Sequence, residues 1–167
     1  MKRRSHVQLQ GGERPSVLFV CLGNICRSPL AEAAFRQEAE AQGIGVDVDS
    51  AGMGDWHVGE APDPRAQAVA RRHGVDVAAC RARTVTRQDF YRFTHIVALD
   101  RENLAALERL APPDATARLS LLLDHVKGRE GEPVADPYFG GDEGFETTWS
   151  DVSAGAHGLA QHLKVRA

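Results

Sequence analysis

The chain has 167 residues, 43% of them hydrophobic, and a formal net charge of −3. That is the size of one domain with a single substantial core, and the near-balanced charge lacks the clustered basic excess that nucleic acid or an anionic membrane would call for. No stretch reaches the roughly 18 apolar residues of a membrane span, and no apolar signal region follows Lys2, Arg3 and Arg4, so a cytoplasmic location is expected.

Residues 1 to about 15 are polar, glycine-containing and aperiodic, and read as a disordered leader; residues 16–167 read as the single domain. Ser16-Val17-Leu18-Phe19-Val20 is a short apolar run suited to a buried parallel strand. After the segment Cys21 to Arg27 a helix is predicted, with Ser28 as N-cap, Pro29 at the first helical position and Glu32 in the first turn, stopped by Gly43. A second strand is predicted over Val46–Ala51. The run Gly52 to Pro64 is a glycine- and proline-rich loop carrying Trp56 and His57, and Arg65–His73 reads as a helix stopped by Gly74. Thr94–Leu99 is the third strand, Asp100–Leu110 the next helix, and Arg118–Leu122 the fourth strand. A loop centred on Asp136-Pro137-Tyr138 precedes the clearest helix of the chain, in which Phe145, Trp149, Val152, Ala156, Leu159 and Leu163 recur at spacings of three and four. Alternating strands and helices imply an α/β fold: a parallel sheet with helices on both faces. Ligands of such sheets bind beyond the C-terminal strand ends, where Cys21 falls.

Five residues separate Cys21 from Arg27, enough to wrap a loop around one phosphate group. Backbone N–H groups of such a concave loop form an anion nest, to which a following helix adds its unpaired amides and positive dipole end. Leu22, Gly23, Asn24, Ile25 and Cys26 would supply the nest. Gly23 permits close approach, and Asn24 tolerates a left-handed conformation. Arg27 adds a planar fork matched to two phosphate oxygens. The same positive field favours a thiolate at Cys21, and Ser28 is placed to donate to that sulfur. A thiolate in a phosphate cradle is a nucleophile aimed at phosphorus. Cys21, Cys26 and Cys80 are an odd count, without Cys-x-x-Cys or a nearby His pair, so neither a disulfide framework nor a metal is expected. Nucleotide loops of the Gly-x4-Gly-Lys-Ser/Thr and Gly-x-Gly-x-x-Gly kinds are absent. A phenolate leaving group needs a proton. Asp136, restricted to an extended conformation by Pro137, is the candidate acid, although Asp-Pro also opens ordinary turns.

The sequence resembles the low-molecular-weight protein tyrosine phosphatases over nearly all of the chain beyond the leader. The strongest element is Val20-Cys21-Leu22-Gly23-Asn24-Ile25-Cys26-Arg27-Ser28-Pro29, joined by Ser50-Ala51-Gly52, Gly54-Asp55-Trp56-His57, His73-Gly74, Asp100-x-x-Asn103 and Asp136-Pro137-Tyr138. The resemblance implies a four-stranded parallel sheet, no metal or cofactor, and tyrosine-phosphorylated proteins as substrates. It implies Cys21 as nucleophile, Arg27 as phosphate clamp and Asp136 as acid and later base. It also implies a loop-supporting network of Asn24, Ser28 and His73, and cleft walls formed by Trp56 and Tyr138. Trp56 could instead fill a core, His73 could simply favour a helix end, and Asp100 and Asn103 could only cap a helix. Where some relatives carry adjacent tyrosines, Phe139 follows Tyr138 here. Cys26 invites a reversible Cys21–Cys26 disulfide under mild oxidant, while Cys80 reads as a packed residue. Arsenate reductases resemble the chain but use two further cysteines near Cys80. Phosphoarginine phosphatases resemble it but carry Thr at the position of Ile25. No feature recommends a non-catalytic binding module or specifies an oligomer.

Overall fold

The computed structural model describes residues 14 to 166, the last two as backbone only. The expected leader therefore lies outside the described residues except for Arg14 and Pro15, which are docked: the Pro15 carbonyl accepts the Asp47 amide at 3.1 Å, and Arg14 Nε donates to the Asp47 carboxylate at 3.0 Å.

The order of elements is β1 (Ser16–Cys21), α1 (Arg27–Gln42), β2 (Asp47–Gly52), α2 (Pro64–Arg72), α3 (Asp89–Arg92), β3 (His95–Ala98), α4 (Arg101–Leu110), β4 (Arg118–Leu121), a 3-10 turn (Leu122–His125) and α5 (Asp142–Arg166). The four strands are all parallel, in the spatial order β2-β1-β3-β4. β1 is one of the two inner strands, and all six of its residues are buried. Its alternation sorts the two faces. Val17, Phe19 and Cys21 join Leu30, Phe35, Phe145, Trp149 and Leu159 in one apolar cluster under α1 and α5. Leu18 and Val20 join Phe90, Phe93, Ile96, Leu107 and Leu121 in the other. Cys80 is half-buried against the first cluster.

Each strand and helix predicted beyond residue 15 is present, with ends shifted by a residue or two. α1 departs in detail. It begins at Arg27, so Ser28 is its second residue and not its N-cap, and no side chain caps it. Pro29 is tolerated at the third position because the first four helical amides have no partner inside the helix. Glu32 falls beyond the first turn; it is buried and accepts hydrogen bonds from Ser50 and Arg36. Gly43, at φ 70°, closes the helix as expected. α3 and the 3-10 turn span four residues each, too short to carry a readable period. Among the described residues no helix is long and apolar enough to cross a membrane.

Candidate active site

The loop from Cys21 to Arg27 leaves the C-terminal end of β1 and turns directly into α1. The turn is made by Asn24, the one non-glycine residue at positive φ (61°) among those described. Three donors converge on the Cys21 sulfur: the Ser28 hydroxyl at 3.1 Å, the Asn24 amide at 3.3 Å and the Ser28 amide at 3.4 Å. They form the environment an anionic sulfur requires. The Ser28 hydroxyl can point at the sulfur because it receives a bond itself, from Asn24 Nδ2 at 2.7 Å. Asn24 is fixed in turn. Its Nδ2 donates to Ser50 Oγ at 3.0 Å, and its Oδ1 accepts the Arg83 amide at 3.0 Å. Ser50 passes the chain on to Glu32 at 2.8 Å, and Arg36 holds the far carboxylate oxygen at 2.7 Å.

Arg27 is buried behind the loop, its side chain only 4% exposed. Its Nη1 donates to Asp100 Oδ2 at 2.7 Å and to the Val134 carbonyl at 3.0 Å. Its Nη2 lies 3.6 Å from Asp136 Oδ2. Burial works against the guanidinium charge, but Cys21, Asp100 and Asp136 outweigh it and push its pKa further up. The committed Nη1 leaves the Nε–Nη2 edge for a ligand. α1 also opens without a side-chain cap, so a bound anion would satisfy its first amides. Cys26 is different in kind from Cys21. Burial first, then Asp63, Cys21 and Asp136, push its thiol well above the ordinary range, which keeps it protonated beside the nucleophile candidate.

Above the loop is a cleft of about 180 Å³, lined by Cys21, Leu22, Ile25, Arg27, Trp56 and Asp136, together with Gly23, Cys26, His57, Tyr138 and Phe139. Trp56 is 67% exposed, so it walls the cleft and does not fill a core. Its ring lies across Gly54, where any Cβ would sit 1.8 Å from the ring. Tyr138 and Phe139 meet edge to face with centroids 4.9 Å apart. Asp136 is half-exposed in the cleft, and its Oδ1 accepts the Tyr138 amide at 3.1 Å.

The structure thus brings Cys21, Leu22, Gly23, Asn24, Ile25, Cys26, Arg27, Ser28, Trp56, Tyr138 and Asp136 together. It does not bring His73. That ring bonds Glu146 at 3.0 Å and stacks on Trp149 with centroids 5.0 Å apart. The end of α2 faces α5 and not the loop, and the network expected of His73 is completed by Ser50 and Glu32 instead. Asp100 caps α4 through the Asn103 amide at 2.8 Å and also holds Arg27, so capping is only half of its contacts. His57, from the recognisable Gly54-Asp55-Trp56-His57, and Phe139, signalled only by its neighbour Tyr138, also line the cleft. Gly52, the end of the recognisable Ser50-Ala51-Gly52, meets the loop from β2. A Cβ there would lie 2.9 Å from the Leu22 carbonyl oxygen and 3.1 Å from the Gly23 carbonyl carbon. Among the described residues no three His, Cys, Asp or Glu side chains are grouped to hold a metal.

Residues 16–167 match the family model described as low molecular weight phosphotyrosine protein phosphatase. A Streptomyces coelicolor low molecular weight protein-tyrosine-phosphatase is 46% identical over 148 residues, covering 86% of this chain and 90% of the relative. The crystal structure of YfkJ from Bacillus subtilis superposes with a TM-score of 0.85 at 39% identity, covering 93% of this chain and 98% of that one. The crystal structure of DARP, a Drosophila arginine phosphatase, superposes with a TM-score of 0.84 at 37% identity, covering 89% and 97%.

Proposed function

The chain belongs to the low-molecular-weight protein tyrosine phosphatase family, and from that premise we propose that Cys21, Arg27 and Asp136 carry its reaction as nucleophile, phosphate clamp and general acid. The family's chemistry is cysteine-dependent hydrolysis of phosphotyrosine in protein substrates.

The Cys21 thiolate attacks phosphorus from the cleft floor. An S–P bond forms as the bond from phosphorus to the phenolic oxygen breaks, and the leaving oxygen takes the Asp136 proton. The Nε–Nη2 edge of Arg27, with the loop amides of residues 22–27, binds the equatorial phosphate oxygens as charge builds on them. In the second step a water attacks phosphorus and gives its proton to the Asp136 carboxylate. The P–S bond breaks, releasing inorganic phosphate and restoring the thiolate. Asn24 and Ser28 hold the loop and the sulfur. Trp56 and Tyr138 bracket the substrate ring, and Ile25 gives it an apolar floor.

The observation that carries this reading is the convergence of the three donors on Cys21 within a cleft that Arg27 and Asp136 share. Residues 16–167 act as one catalytic domain in the cytoplasm. The test is metal-free phosphate release from p-nitrophenyl phosphate and a phosphotyrosine peptide, with reductant. Cys21→Ser should be inactive. Asp136→Ala should lose about 10²–10⁴-fold in kcat/KM on the peptide, whose phenol is the poorer leaving group. Phosphoarginine belongs in the same assay because a structural neighbour is an arginine phosphatase; the aryl cleft predicts slower turnover of it. A wild-type chain inert on both aryl substrates would overturn the assignment.

A further inference from the structure

We infer that Arg65, outside the catalytic set, is a positioning residue that ties the loop of Asp136 to the loop of Cys21. Arg65 lies in the first turn of α2, whose N-cap is Asp63. One edge of its guanidinium faces the Asp63 carboxylate, with Nε to Oδ1 at 3.1 Å and Nη2 to Oδ2 at 3.0 Å. The other side reaches across 73 and 75 residues of sequence, with Nη2 to the Tyr138 carbonyl at 2.9 Å and Nη1 to the Gly140 carbonyl at 3.0 Å. The group lies over the Phe145 ring at 4.7 Å, which fixes its plane. Asp63 completes the connection, since its amide donates to the Ile25 carbonyl at 2.9 Å. The path therefore runs from Ile25 through Asp63 and Arg65 to Tyr138 and Gly140.

The path ends on the acid itself. The Tyr138 carbonyl is held by Arg65, and the Tyr138 amide holds Asp136 Oδ1. Without Arg65 this segment has little to keep it in place. Phe139, Gly140 and Gly141 are exposed, and the turn closes on the single bond from the Gly140 amide to the Pro137 carbonyl at 3.0 Å. Two adjacent glycines give it wide conformational freedom. Only a planar group with several fixed donors can take a carboxylate and two carbonyls together, so lysine cannot replace it.

The inference rests on Asp136 as the acid, and the test separates the two ideas. kcat/KM is measured on a phosphotyrosine peptide and on 2,4-dinitrophenyl phosphate, whose phenolate leaves without a proton, for wild type, Arg65→Ala, Arg65→Lys, Asp63→Asn and Asp136→Ala. Displacing a catalytic group by about 1 Å costs on the order of 10²-fold. Arg65→Ala should lose roughly that on the peptide and only a few-fold on the dinitrophenyl ester, with inhibition by inorganic phosphate retained. Arg65→Lys should fall between, and Asp63→Asn should show the same selectivity from the other end of the tether. Arg65→Ala added to Asp136→Ala should cost little more than Asp136→Ala alone. If Arg65→Ala does not fold, Arg65→Lys and Asp63→Asn carry the test. Equal losses on both substrates, or none, while Asp136→Ala stays selective, overturn the positioning role alone. An Asp136→Ala variant without selectivity overturns the acid assignment and this inference with it.

Discussion

Replacing Asp100 tests how the buried guanidinium of Arg27 is aimed. Asp100 uses one carboxylate oxygen on Arg27 and the other on the Asn103 amide. Removing one member of a buried ion pair costs about 3–5 kcal/mol. The lower end applies here, because the Val134 carbonyl still accepts from Nη1 and Asp136 still lies 3.6 Å from Nη2. Loss of the α4 cap adds about 1 kcal/mol. Asp100→Ala should therefore lose about 4 kcal/mol, roughly 8–16 °C in melting temperature at ~2–4 °C per kcal/mol for a domain of this size. Asp100→Asn keeps one acceptor oxygen, enough for the Asn103 amide, but turns an NH2 donor toward the Arg27 guanidinium and loses the charge, for a loss of about 3 kcal/mol. Calorimetry of both variants reads these values. Inhibition by inorganic phosphate reads the aim of Arg27, and it should weaken about tenfold or more in Asp100→Ala if one charged hydrogen bond is lost. An alanine variant that melts within about 2 °C of wild type and binds phosphate equally well would refute the reasoning. An asparagine variant indistinguishable from wild type would leave the cap, and not the charge, as the source of the loss.

Gly52→Ala places a Cβ against backbone atoms of Leu22 and Gly23; it should cost about 1–3 kcal/mol by overpacking and a larger factor in kcat/KM, and wild-type activity would show that the phosphate loop does not rest on Gly52. His125 is held below its ordinary 6.5 by burial and by His162, whose ring is 5.5 Å away. The unfolded chain therefore takes up that proton first, so stability is full above about pH 6.5 and falls as pH drops below it. His125→Gln should flatten that acid limb in denaturant titrations at pH 7.5, 6.5 and 5.5. Cys26 is free beside Cys21, its thiol pushed up by burial, so we predict that peroxide oxidises Cys21 first and that Cys26 then condenses with the sulfenic acid, releasing water. Cys26→Ala should lose thiol-reversible recovery after peroxide, and unchanged recovery would exclude the disulfide.

The contiguous part of the site was legible because its chemistry is local. A strand, a loop of five residues and a helix start put Cys21, Asn24, Arg27 and Ser28 around one point, and the left-handed Asn24 follows from its residue type. The N-cap was misread for a related reason. Ser28 is a good capping residue in general, but here the loop tightens so that the helix begins two residues earlier and the hydroxyl goes to sulfur. The supports were not legible. Ser50 reaches Asn24 across 26 residues, Asp100 reaches Arg27 across 73, and Arg65 reaches Tyr138 across 73. Each depends on which strands become neighbours. Gly52 illustrates the limit: β1 pairs with β2 so that Cys21 lies opposite Gly52, and only that register sets the loop against it. His73 erred in the other direction, as a recognisable residue whose helix face meets Trp149.

In the proposed reaction Asp136 delivers a proton to one oxygen and accepts one from a water at nearly the same place, which requires it to be held without being locked. The structure meets this by fixing its neighbours. On one side the Val134 amide donates to the Leu99 carbonyl at 2.8 Å, just beyond β3, while the Val134 carbonyl takes Arg27 Nη1. On the other side Arg65 takes the carbonyls of Tyr138 and Gly140. Asp136 sits between these anchors, its own side chain 44% exposed and free at Oδ2 except for Arg27 at 3.6 Å. Because Val134 binds Arg27 directly, a shift of Arg27 moves the near anchor of Asp136 as well. Substitutions at Asp100 and at Asp136 should therefore not act independently: the double variant should lose less in kcat/KM than the product of the two single losses.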